Sequence, residues 1–259
     1  MIESLYIGAT GLHTHKTQID LISNNLANVA TPGFKKDRVN FQDLLYSNSL
    51  ATNGVGNTPN AQTRVGYGTA ISSAEKVFDL GELKKTDRAL DIAIRGKGFF
   101  EITLPNGDKA YTKAGVFAID EFGTLITANG YQVSANVQIP SDATELIVKE
   151  NGEVLVRVAD EVDPISIGSI ELADFVNPSA LNPLGDNLYA PTEQSGVAYF
   201  GDPGESGFGK LAQGFVEVSN VSFVEEMTNL VVAQRAYEIN AKLIQAADQI
   251  LSITNDLRR

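Results

Sequence analysis

The chain has 259 residues, 43% of them hydrophobic, which is enough for one large domain or two modest ones. Its formal net charge of −12 removes the basic face that a nucleic-acid partner needs. No cysteine is present, so neither a disulfide framework nor a thiolate metal site is available.

Met1-Ile2-Glu3-Ser4 puts an acid where a secretory signal carries its basic residues, so a cleaved signal is not expected. No apolar run approaches the roughly 20 residues of a membrane span, so membrane insertion is not expected either. The first thirty residues are nearly free of helix breakers, and Leu5, Leu12, Ile19 and Leu26 recur every seven positions. That repeat keeps one seam of a helix facing a partner. Gly8 and Gly11 are expected to loosen its first turns. Between Ser47 and Gly68 the chain is rich in Asn, Thr and Gly and reads as a long loop, expected to be mobile from Ser47 to Arg64.

The centre reads as antiparallel strands. Leu90 to Ile94 alternates, Phe99 to Leu104 follows, and Pro105-Asn106-Gly107-Asp108 is a hairpin turn. Tyr111 to Ile119, a turn at Asp120 to Gly123, and Thr124 to Thr127 continue the meander. Leu146 to Val148 and Val154 to Val156 flank a turn at Asn151-Gly152. Between Asp142 and Glu205 thirteen acids stand against Lys149 and Arg157, the pattern of a solvated face.

All nine prolines lie between Pro32 and Pro203, and neither Gly nor Pro occurs from Phe215 to Arg259. A second long helix is therefore expected there. Phe223, Leu230, Tyr237, Ile244 and Leu251 form its heptad column; Ser222-x-x-Glu225 fits a capping box, with Ser219 and Asn220 as alternative caps. Leu243, Ile250 and Leu257 add an adjacent stripe, wider than one helix partner covers. The expected fold is α+β: residues 1–31 and 215–259 as a coiled-coil-like pair of terminal helices, 32–67 as a connecting segment, and 68–214 as a β-rich domain.

The run Ser23-Asn24-Asn25-Leu26-Ala27-Asn28-Val29-Ala30-Thr31-Pro32-Gly33-Phe34 resembles the N-terminal signature of the bacterial flagellar rod and hook proteins. Its asparagines are placed to hydrogen-bond across a packed interface, with Pro32 and Gly33 ending the helix. Ser219-Asn220-Val221, Val224-Glu225-Glu226-Met227 and Ala233 to Glu238 resemble the same family's C-terminal signature. Leu90 to Phe100 and Tyr111-Thr112-x-x-Gly115-x-Phe117 resemble its middle.

Chain length and Arg64-Val65-Gly66-Tyr67-Gly68 are most similar to the distal rod branch. A proximal rod or short hook-like subunit is the alternative within the family, and a periplasmic binding module the alternative outside it. The resemblance implies a non-enzymatic subunit of a straight helical tube in the flagellar basal body, crossing the periplasm. It also implies export by the flagellar type III apparatus. The implied partners are copies of itself, other rod and hook proteins, and the L and P rings that act as bushing. The implied assembly interface is Leu5, Leu12, Ile19, Asn24, Asn25, Leu26 and Asn28 with Phe223, Leu230, Tyr237, Ile244 and Leu251.

Catalytic, metal and cofactor sites are not expected. His13 and His15, the only histidines, stand at i and i+2 and point to different helix faces. No Gly-x-Ser-x-Gly elbow occurs. Gly207-Phe208-Gly209-Lys210 lacks phosphate-loop spacing, and Asp120-Glu121-Phe122-Gly123 is too short for a calcium loop. Glu225 and Glu226 read as first-turn acids favoured by the helix dipole.

Overall fold

The structure is a computed structural model that describes residues 2–44, 46–49, 63–135, 137–158, 163–205 and 207–257. The chain forms two units, one of residues 1–27, 37–75 and 222–259, the other of residues 28–36 and 76–221. The α+β expectation is borne out, with the helices at the two ends and antiparallel strands between them.

In the helical unit, α1 (Ile2–Ala27) and α2 (Phe223–Asp256) are the long elements. Of the three candidate caps it is Ser222 that caps α2, its side chain accepting from the Glu225 N–H. Both helix boundaries differ from the reading of breakers alone. α1 stops at Ala27, five residues before Pro32, because Asn28 and Thr31 close a turn of their own. Phe215–Glu217 is a strand paired with Leu83–Lys85, although no Gly or Pro marks it off from the helix.

The segment after α1 is not a connector. Asp37–Asp43 pairs with Thr69–Lys76, and Tyr46–Ser49 pairs antiparallel with Thr63–Gly66, so both ends of the expected loop are strands. The loop's centre, residues 50–62, lies outside the described residues.

The β unit is built on a sheet whose strands run, in spatial order, Asn182–Gly185, Leu188–Ala190, Lys109–Thr112, Phe100–Thr103, Gln132–Val133, Leu125–Thr127 and Phe117–Ile119. A second sheet holds Ala143–Val148, Glu153–Val158 and Ile165–Ser169. Alternation along the strands supplies apolar residues to both faces of the first sheet. Phe100, Ala110 and Leu188 enter one cluster with Ile92, Ile102, Phe117, Val154 and Leu172. Their chain neighbours Phe99, Tyr111 and Tyr189 enter another with Ala173, Phe175 and Leu181. Burial, with the Glu101 carboxylate beside it, pushes the Tyr111 hydroxyl up to about 12. The predicted turns are present at Gly107 and Gly152, both with φ +87.

Candidate functional site

The contact between α1 and α2 is made by small and polar residues as much as by leucines. A Cβ on Gly8 would stand 2.8 Å from Ile244 Cγ1, and one on Gly11 would stand 3.0 Å from Asn240 Nδ2. These glycines do not merely loosen the helix; they are the seats on which α2 lies. Ala233 is 1% exposed at the same seam. Near the other end Asn25 Nδ2 approaches Glu226 Oε2 at 3.4 Å. Because 25 faces 226 and 8 faces 244, the helices are antiparallel. From that register, the end of α2 beyond about residue 250 overhangs the start of α1 at Ile2.

Asn25 is 2% exposed and works inside the chain. Its amide accepts from Asp37 N–H at 2.9 Å and donates to Asp37 O at 3.0 Å as well as to Glu226. One side chain thus ties the end of α1, the strand that follows and the first turn of α2. Glu226 is 5% exposed, so it is a partner of Asn25 and more than a first-turn charge. Asn24 is exposed and reaches the Asp37 carboxylate at 3.4 Å, and Asn28 accepts from the Thr31 hydroxyl at 3.2 Å.

The remaining predicted interface residues divide by exposure. Leu5, Leu12, Ile19 and Leu26 are half-buried along α1, and Leu230, Ile244 and Leu251 along α2. Ile244 is spent on α1, whereas Tyr237 and Phe223 stay exposed at 39% and 56%. On the adjacent face of α2 lies a long stripe of apolar surface that no described residue covers. Val232, Ile239, Ala246 and Ile253 are one column at heptad spacing, and Ala236, Leu243, Ile250 and Leu257 another. Their large members are 51 to 84% exposed. Interleaved, the two columns make the a and d positions of a second seam. No helix among the described residues is long and apolar enough to cross a membrane.

The β unit carries a clasp that pattern reading missed. Lys35, fully buried, donates to Glu217 Oε1 and to Asp79 O at 2.6 Å, and the Gly81 N–H donates to the same Glu217 oxygen at 2.7 Å. Gly33 N–H meets Glu217 O at 2.8 Å, while Asn220 accepts from Lys36 N–H and donates to Val77 O, each at 2.8 Å. The stretch leaving α1 is thereby tied to the stretch entering α2. Gly33 has φ +73, and a Cβ there would lie 2.7 Å from Ala114 Cα, so this turn requires glycine. A partner 182 residues away has no local signal.

Three family descriptions match along this frame. Residues 5–35 match "Flagella basal body rod protein", 93–156 match "Flagellar hook protein FlgE/F/G D1 domain", and 212–257 match "Flagellar basal body rod FlgEFG protein C-terminal". The flagellar basal-body rod protein FlgG of Borreliella burgdorferi is 42% identical over the whole of both chains. That of Caulobacter vibrioides is 41% identical, covering 99% of this chain and all of its own. The Bacillus subtilis protein of the same name is 37% identical over the whole of both. With likeness of that extent running through both helices and the β unit, the chain belongs to the FlgG family of flagellar basal-body rod proteins.

Proposed function

We propose that the chain is a structural subunit of the distal rod, polymerising into a straight helical tube that crosses the periplasm as a driveshaft. It acts by mechanical contact and not by catalysis. The observation that carries this reading is the second heptad seam of α2, a run of Ile, Leu and Val left open beside a seam already filled by α1. Long helices hold their shape by packing, and two seams on one helix are what a multi-helix bundle built from several copies needs. The relatives' printed names place them in the basal-body rod, which supports other rod and hook proteins as neighbours. The reading extends to the L and P rings as surrounding bushing and to the flagellar type III apparatus as the export route.

Concentrated wild-type protein viewed by negative-stain electron microscopy tests the reading. Straight filaments or tubes are expected; a field of globular monomers or dimers at every concentration would refute it.

A further inference from the structure

One cleft of the β unit opens onto the edge of its second apolar cluster. Phe99 and Phe175 meet edge to face with ring centroids 5.9 Å apart, and Phe78 meets Phe99 at 5.2 Å. These rings border an open cleft of about 810 Å³, rimmed by Leu80, Val176 and Tyr199. Lys113 is 3% exposed and lines the same cleft. Its ammonium donates to Gly96 O at 2.9 Å and leans over the Phe99 ring at 5.5 Å. Among the described residues no carboxylate lies within ion-pair distance of it. Asp174, also in the cleft, is already committed to the Tyr199 hydroxyl and the Phe175 N–H, both at 2.9 Å. An ammonium has three protons to donate, and burial here pushes the amine down to about 8. The cleft therefore offers an apolar mouth of Leu80, Val176 and Tyr199 over buried rings, with an under-used donor at its floor, to an acceptor from outside.

The same β unit displays the complement. Asp120 Oδ1 accepts from Phe122 N–H at 2.9 Å and Thr124 N–H at 2.8 Å, fixing a tight turn at the end of an edge strand. At its tip Phe122 is 77% exposed, the most exposed aromatic of this unit among the described residues, with exposed Glu121 beside it. A large apolar ring on a rigid hairpin, next to a carboxylate, is the chemistry that the cleft fits.

We infer that the Glu121–Phe122 tip of one copy seats in this cleft of the next, ring against Leu80, Val176 and Tyr199 at its mouth, carboxylate turned to Lys113 Nζ. The two surfaces differ, so the contact is heterologous and propagates from copy to copy, as a filament requires. It rests on the assembly reading above and adds to the helix seam a second, outer bond between copies.

The chain's lack of cysteine makes the test direct. Glu121→Cys combined with Ser179→Cys, the latter in the cleft lining, is expected to give a ladder of disulfide-linked multimers when filaments are oxidised. A mixture of the two single variants is expected to stop at dimers. Phe122→Ala and Lys113→Met are each expected to raise the protein concentration needed for filaments by about tenfold, with Phe122→Tyr close to wild type. The unfolding curve of Lys113→Met verifies that the variant is folded. Filaments that yield no ladder and assemble equally well without Phe122 would overturn the contact alone. Failure of the wild-type chain to form filaments would overturn the assembly reading and this contact with it.

Discussion

Asn25 and Lys113 show two opposite uses of a buried polar side chain. Asn25 is saturated: its amide bonds to both backbone groups of Asp37 and to Glu226, and it holds three chain segments in one register. Lys113 is under-satisfied, and its burial has a consequence that pH reveals. Desolvation lowers its folded-state pKa to about 8 from the ordinary 10.5, against an opposing pull from Glu217. Below pH 8 both the folded and unfolded chains hold the proton, and keeping the charge buried costs about 3 kcal/mol. Between pH 8 and 10.5 the unfolded chain binds more protons than the folded one, so this group's contribution makes stability rise with pH. Lys113→Met is expected to unfold at higher urea concentration than wild type at pH 7, with the gap closing by about 3 kcal/mol towards pH 10. A gap that does not change with pH would contradict the account of this residue.

At the scale of elements, the two seams of α2 make different predictions for substitutions that look alike in sequence. Leu230 is half-buried on the face turned to α1, whereas Leu243 is 56% exposed on the open face. Leu230→Asp is expected to destabilise the helix pair by about 2 kcal/mol or more, because it sets a charge against a packed seam. Leu243→Asp is expected to leave monomer unfolding within about 0.5 kcal/mol of wild type and to abolish filaments. Circular dichroism melts and sedimentation separate the two outcomes; equal loss of monomer stability from both would remove the distinction between the seams.

The two long helices, the cap at the start of α2 and the Asn-Gly turns are legible because each is a local pattern with a local cause. The seats at Gly8 and Gly11 are not, since close helix approach shows only when the partner's Ile244 and Asn240 are in place. Composition does not mark Phe215–Glu217 off from the helix, because its pairing with Leu83–Lys85 leaves no local pattern. Likewise, Asp37–Asp43 finds its partner only at Thr69–Lys76, across a long polar stretch.

For the whole molecule, the chain's two ends meet as α1 and α2, while residues 28–36 and 76–221 make a separately packed β unit. The Lys35–Glu217 clasp within that unit ties the segment that follows α1 in sequence to the segment that precedes α2. Removing one partner of such a buried pair leaves an uncompensated charge, whereas the intact pair specifies which segments lie together. On this account the core of the β unit is complete in the monomer and α2 is not, because its second seam stays wet until other copies arrive. Amide hydrogen exchange compared between monomer and filament tests that claim most directly. The prediction is that residues from Val232 to Leu257 gain strong protection on assembly while the strands centred on Phe100 and Val154 stay as protected as before. Equal protection of α2 in monomer and filament would contradict it.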